Sequence, residues 1–588
     1  VSLDIARSIA FSGLSSTSVQ ISVTSSNISN ADTTGYTRKT ANQSSSVTNG
    51  VGTGVTVTGI TSTVDKLLLK SLVSADSDLG AAETTNTYLT SLEKLYGSTS
   101  STNSSSTGTS LANSIASLES ALSSLASTPS SASLQSNVVS ALDDVTSQLR
   151  ETSSGIQKLR SNADQDIASS IDDVNTDLQN ISDLNAEIKQ TAAAGQSTAD
   201  LEDQRNTALQ DVASKMNVSY YTASNGDLQV YTATGQALVD SSAHKISYTA
   251  AANVSSSTAY TAGSSSSGFS AITVNGVDIT SQITGGDIGA LITLRDKTLP
   301  AAQSQLDQLA TQLASAVNTV SNSASSVPAP TTLTGTTSGT ALSATGTVRL
   351  AVTDQSGNLV SYGDLDLSSY ATVGDLVTAI SGISGMSASI DSNGHLSITA
   401  TGSGNGVAIN EMTSSMGSSG EGFSNYFGLN DLVTGTSASN IAVNSSILSG
   451  TGGPQLATLD SSSSLTVGSS VLTSGSATVV NAFSSALTAS RTFSSTGGLA
   501  ATTGSFADYA STIVADVASK SSQASTNYTA KETAQSTYAS SLSSQSGVNL
   551  DEESANLSTL QNQYSAASEL ISAINTMYSA LITAVQSS

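Results

Sequence analysis

Apolar residues along this chain alternate between helical and strand-like registers from one end to the other. Near the N-terminus, Leu3, Ala10, Leu14, Ile21 and Ile28 are spaced by seven or four residues. That spacing places them on one narrow stripe of a helix. The segment Asn27-Ile28-Ser29-Asn30-Ala31-Asp32-Thr33-Thr34-Gly35 predicts where the helix stops. Asn, Asp and Thr compete for backbone hydrogen bonds there, and Gly accepts left-handed geometry. At the other end, Leu557, Leu560, Tyr564, Ala567, Ile571, Ile574, Tyr578, Leu581 and Val585 alternate steps of three and four without a break. This is a heptad seam. Both stripes are narrow and flanked by Ser and Thr, so each needs a second helix to cover it. The two ends are therefore expected to pair, and to order fully only against neighbouring subunits.

Between the ends, Val64, Leu68, Leu72, Ala75 and Leu79 open a helix that runs on through Tyr96. Residues 97–109 have the composition of a low-complexity loop. Leu111 to Leu125 predict a shorter helix that ends near Pro129, and helical spacing then persists from Leu134 to Ile188. That length suits a rod better than a compact globule. Residues 218–296 switch to strand patterning, with Asn225-Gly226 and Asn275-Gly276 placed as tight hairpin turns. A helix over 299–320 carries Pro300 in its first turn, and Pro328 and Pro330 close it. Residues 331–475 read as mainly β with a short helix near Val373–Ile380; helix resumes near 478 and dominates from Phe506.

The expected fold is thus multidomain α+β, with paired terminal helices forming a coiled-coil stalk and mainly-β domains inserted mid-chain. The boundaries follow the patterning. Residues 1–48 and 546–588 form the terminal coiled coil; 49–217, 297–328 and 476–545 form an elongated helical rod. Residues 218–296 form a β domain and 331–475 an outer, mainly-β domain.

Composition narrows the possible chemistry. The 588 residues include 44 acidic and 19 basic side chains, for a net charge of -25. Such a surface repels nucleic-acid phosphates and anionic membranes, so neither is an expected partner. There is no Cys, and His244 and His395 are the only imidazoles. Disulfides, thiolate nucleophiles and Cys-ligated metals are excluded, and multi-His metal sites nearly so. No apolar run is long enough for a membrane-spanning helix. The first residues lack the basic and apolar regions of a cleaved signal. The acidic, hydroxyl-rich surface nevertheless looks extracellular, which requires export without such a signal.

No motif supplies catalysis. There is no Gly-Lys dipeptide for a phosphate loop and no Gly-x-Ser-x-Gly elbow. Gly50-Val51-Gly52-Thr53-Gly54 has the wrong spacing for a dinucleotide turn and reads as a hairpin or linker. Asp391-Ser392-Asn393-Gly394-His395 has some features of a calcium loop but lacks the downstream Glu, so a hairpin turn is the better reading. Asp143-Asp144 and Asp172-Asp173 belong to the solvated face of the long helix. No enzyme activity, cofactor or metal is expected.

Ser26-Asn27-Ile28-Ser29-Asn30-Ala31-Asp32-Thr33-Thr34-Gly35-Tyr36-Thr37-Arg38 resembles the signature of the bacterial flagellar rod, hook and hook-associated axial proteins. Ser546-Gly547-Val548-Asn549-Leu550-Asp551-Glu552-Glu553, followed by the heptad helix, resembles their matching C-terminal motif. Asp203-Gln204-Arg205-Asn206 before a short helix, Gly285-Gly286-Asp287-Ile288-Gly289-Ala290-Leu291 leading to Arg295-Asp296, and Phe506-Ala507-Asp508-Tyr509 look like blocks of the hook-associated members. Gln and Asn positions common in the family's first helix are largely Ser and Thr here, as in Ser15-Ser16-Thr17-Ser18.

The resemblance implies a self-assembling ring at the junction of hook and filament, with Asn27, Asn30, Gly35 and Tyr36 as motif residues and the two seams as assembly interfaces. It implies as partners further copies of the chain, the hook protein, hook-associated protein 3, and an export chaperone at the C-terminal helix. It also implies type III export to an extracellular flagellum. A hook or distal-rod protein is the main alternative, but lacks so long a helical middle section. A secreted adhesin or surface-layer protein would not explain matched seams at both ends.

Overall fold

The computed structural model describes residues 3–586 apart from 49, 98–109, 265, 339–341, 451–453 and 474. The 97–109 loop expected from composition therefore lies, beyond Gly97, outside the described residues. The helices in chain order are α1 Leu3–Ser29, α2 Lys66–Leu95, α3 Leu111–Ser127, α4 Ala132–Ala193 and α5 Ala199–Lys215. Then come α6 Gly286–Thr293, α7 Leu299–Asn322, α8 Val373–Ser381, α9 Phe423–Phe427 and α10 Ser445–Leu448. The last three are α11 Ala477–Thr488, α12 Phe506–Ser546 and α13 Leu550–Gln586. The mixed fold expected from patterning is present, and α1 packs on α13.

Two compact units divide the chain: Val1–Tyr88 with Ser161–Asp296 and Ser522–Ser588, and Leu89–Arg160 with Lys297–Ser521. In the first unit, hairpin β1 Lys39–Thr48 and β2 Val51–Ser62 lies against α1. The Gly-rich segment thus belongs to a hairpin, with Gly50 in its turn and Val51–Gly54 opening the second strand. Two three-stranded antiparallel sheets follow: β3 Val218–Thr222, β4 Leu228–Thr232 and β5 Ala237–Val239, then β6 Ile246–Ser247, β7 Thr273–Val274 and β8 Val277–Asp278.

The predicted turns form. Val274 pairs with Val277 across Asn275-Gly276, and both turn residues have positive φ, 52° and 79°. This two-residue geometry favours Asn-Gly because its twist matches that of the strands. Asn225-Gly226 lies in the turn joining β3 to β4.

The first unit's helical core comes from one face of each helix: Leu69, Leu72 and Val73 on α2, Ile167, Val174 and Ile181 on α4, and Leu209 and Val212 on α5. The block that opens α6 is shaped by close approach. At Gly286 φ is +68°, and a Cβ would sit 2.4 Å from the Lys215 carbonyl carbon, so only Gly fits. Downstream, Arg295 is buried but satisfied. It donates to Asp164 and to both oxygens of Asp296 at 2.8 Å and lies 4.2 Å from the Phe269 ring centroid.

One local expectation changes: Asp203-Gln204-Arg205-Asn206 sits inside α5 rather than before a helix. The helix expected to carry Pro300 in its first turn is α7, Leu299–Asn322, and a π-helical stretch, Leu294–Thr298, precedes it.

The second unit buries Leu111, Ile115, Leu118, Leu122 and Leu125 of α3 with Leu142, Val145, Leu149 and Ile156 of α4 and Leu306, Leu309 and Leu313 of α7. Its β part contains a sheet of Leu359–Asp366, Thr347–Thr353 and Gly406–Asn410, and another of Met386–Ile390, His395–Ala400 and Thr332–Ser338. α8 packs on Met386–Ile390. A reciprocal cap starts α8: Thr372 and Asp375 each accept the other's backbone N–H.

A candidate assembly junction at the chain ends

α1 and α13 run antiparallel. The Tyr578 hydroxyl donates to Asp4 at one end of the pair, and Asn27 donates to Glu553 at the other. Arg7 also lies 5.7 Å from the Tyr578 ring centroid. Of the N-terminal stripe, Ala10 is buried, while Leu3, Leu14, Ile21 and Ile28 are half-buried. The fully buried face of α1 is made instead by Ala10, Ser16, Thr17, Val23, Thr24 and Asn27. The cause is a second neighbour, the β1–β2 hairpin. Gln43 donates to Ser16 Oγ at 2.8 Å, and Val55 N–H donates to Ser12 Oγ at 3.1 Å. Small hydroxyl side chains let two elements approach the helix backbone at once.

On α13, Ile574 is buried at 4 % exposure. Leu557, Leu560, Ala567, Ile571 and Tyr578 are half-buried, and Tyr564, Leu581 and Val585 are exposed. Leu570, Met577 and Ile582 are exposed beside them.

The motif residues converge on one buried polar knot. Asn27 is its centre: Nδ2 donates to Lys39 O at 2.9 Å and to Glu553 Oε2 at 3.0 Å. Its Oδ1 accepts Lys39 N–H at 3.0 Å and the Tyr36 hydroxyl at 3.1 Å. Every polar atom of the amide is thus engaged, as a side chain this buried requires. Glu553 is 2 % exposed and takes Arg38 Nε at 2.7 Å, while Arg38 N–H donates to Ser546 O at 2.8 Å. Asp203 of α5 accepts Thr37 N–H at 2.8 Å and the Thr37 hydroxyl at 2.7 Å, and pairs with Lys39 Nζ. Lys39 Nζ also lies 3.7 Å from the Tyr36 ring centroid. Burial and the carboxylates of Asp200, Asp203 and Glu553 push the Tyr36 hydroxyl up to about 12, so it stays a donor.

Gly35 makes the bend that presents this segment. Its φ is +79°, and a Cβ would lie 2.5 Å from Thr207 Oγ1. Asn30 ends α1 by donating to Ser26 O at 3.0 Å. The N-terminal motif, the Asp203 block and the C-terminal motif, far apart in sequence, are therefore three sides of one site. Lys39, which lies just beyond the motif, was not indicated by any periodicity.

The remaining candidates for chemistry sit apart. His244 pairs with Asp240 at 3.0 Å, and His395 pairs with Asp391 at 3.2 Å. Asp391 also accepts the N–H groups of Asn393 and His395, so this segment is the hairpin turn expected of it. Asp172 and Asp173 are exposed, Asp144 likewise, and Asp143 is half-buried. Among the described residues no helix is long and apolar enough to cross a membrane.

Comparison with known proteins gives three family matches. Residues 96–335 match the flagellar hook-associated protein FlgK helical domain, residues 8–37 the flagella basal body rod protein, and residues 539–584 the flagellar basal body rod FlgEFG protein C-terminal. No curated protein matches the chain in sequence. Among solved structures, the flagellar hook junction protein FlgK from Burkholderia pseudomallei is 16% identical, covering 80% of this chain and 98% of that one, with a TM-score of 0.44. The assignment rests on the family matches. With rod-protein matches at both ends and a match to the hook-associated FlgK helical domain between them, the chain is similar to flagellar hook-associated protein 1 among the axial proteins.

Proposed function

We propose that the protein self-assembles through α1 and α13 into a ring that joins the flagellar hook to the filament. The observation that carries this is the incompletely covered C-terminal seam. The antiparallel pair buries Ile574 but leaves Leu581 55 %, Met577 56 % and Val585 69 % exposed on a regular stripe. A contiguous apolar stripe of that kind is normally covered by a partner surface. Neighbouring copies carry the same stripe, which fits closed self-association. The hook protein and hook-associated protein 3 are the neighbours proposed below and above the ring. An export chaperone would cover the same α13 stripe before assembly, and export would proceed without a cleaved signal to the cell exterior. The four-part division into terminal coiled coil, helical rod and two β domains is proposed as the arrangement within the ring. No catalytic step is assigned. The hook-associated reading is preferred to a hook or distal-rod protein because the matched helical domain spans 96–335.

Leu581→Asp tests the proposal. Leu581 is exposed in the single chain, so the variant should keep its circular-dichroism spectrum and thermal transition while failing to attach to hook ends. Normal attachment by the folded variant would refute it.

A further inference from the structure

We infer that the open edge of β3 takes an extended polypeptide segment from a partner protein, laid beside it as a further strand. β3 is the outermost strand of the β3-β4-β5 sheet. At the closed end of its hairpin, Ala223 N–H donates to Asp227 O at 2.8 Å. Antiparallel alternation from that bond turns the amides of Ser219 and Tyr221 toward β4 and those of Val218, Tyr220 and Thr222 away from the sheet. Among the described residues these three have no backbone partner on the outer side.

An open edge alone is common. Here a groove of about 360 Å³ runs along it, walled by Lys70, Val73 and Ser77 of α2 and by Val218–Tyr220. Thr284 and Gly285 also line it, where Asn217 Oδ1 accepts their N–H groups at 2.9 and 3.0 Å. Tyr220 also lines this groove, with its hydroxyl buried and without a hydrogen-bond partner.

The occupant follows from this hydrogen-bonding pattern. Donors and acceptors on every second residue of a straight edge match another extended backbone, and a sugar or nucleotide has no such repeat. Charge adds a preference. Asp78 is already paired with Lys531 at 2.8 Å, whereas Lys70 forms no ion pair among the described residues. The partner strand therefore carries an acidic side chain opposite Lys70. This inference is independent of the terminal-helix assembly.

The test uses the full-length protein and a blocked hexapeptide of alternating valine and threonine with one central glutamate. Hydrogen exchange should show new protection confined to segment 218–222. The glutamate peptide should bind about threefold tighter than its lysine counterpart, with the order reversed in Lys70→Glu. Thr222→Pro removes one outward N–H and should weaken binding about fivefold. Three results would overturn the inference: no protection at β3, an unchanged glutamate preference in Lys70→Glu, or affinity unaffected by Thr222→Pro. Dimerisation through this edge with no peptide binding would assign it to a second copy instead.

Discussion

Removing the cation from the buried knot should unlock the first helix from the rest of its unit. In Lys39→Met the side-chain stem is replaced at similar volume, but Asp203 loses its ammonium partner while staying only 7 % exposed. Breaking a buried ion pair from one side costs about 3–5 kcal/mol, because the remaining charge is left uncompensated. Asp203 keeps its two bonds from Thr37, which favours the lower end of that range. At 1.4 kcal/mol per factor of ten, about 3 kcal/mol speeds local opening roughly 100-fold. Because the chain has two units, global melting would blur the effect; hydrogen exchange in the peptide covering residues 30–45 isolates it. Asp203→Asn keeps an acceptor for Thr37 but leaves buried Lys39 only the exposed Asp200 carboxylate at 3.3 Å, so it should also destabilise. The double variant leaves neither charge buried and should recover about 2 kcal/mol relative to the sum of the singles. Exchange accelerated less than threefold in Lys39→Met, or strict additivity in the cycle, would refute the account of the knot as a coupled charge site.

Ile574→Asp places a charge in the one fully buried seam position of α13; assembly should be lost with the β domains still folded, seen as intact protease-resistant fragments. Gly35→Ala forces a Cβ into left-handed backbone and against Thr207, costing about 1–3 kcal/mol, and Thr207→Ala should restore only the steric part in urea melts. A pH effect follows from Asp76 and Asp177, both raised to about 6 chiefly by burial. An acid held above its unfolded value near 3.8 contributes stability that is full below that value and is lost as pH rises through about 6. The melting temperature should therefore be higher at pH 5 than at pH 7.5, with the difference reduced in Asp76→Asn; no reduction would remove Asp76 as a cause.

Long elements were legible because their signal is periodic. α4 keeps Val145, Leu149, Ile156, Ile167, Val174 and Ile181 buried along one face, as its spacing requires. Asn275-Gly276 was legible because few dipeptides tolerate two positive φ values. The buried side of α1 was not, since Ser16, Thr17 and Thr24 carry no hydrophobic signal and are buried only because a hairpin covers them. Nor could spacing reveal that Thr37 meets Asp203 and Arg38 meets Glu553: polar contacts between distant segments leave no periodic trace.

The contact between Asn27 and Glu553 joins positions 526 residues apart in sequence. Synthesis delivers the first long before the second, so α1 goes without its partner until the residues between them have been made. A chain truncated before Glu552 loses both carboxylate partners of Arg38 and one of the four hydrogen bonds at the Asn27 amide. The knot thus closes only for copies that extend through Glu553, and shorter ones are left with a looser first helix open to proteolysis.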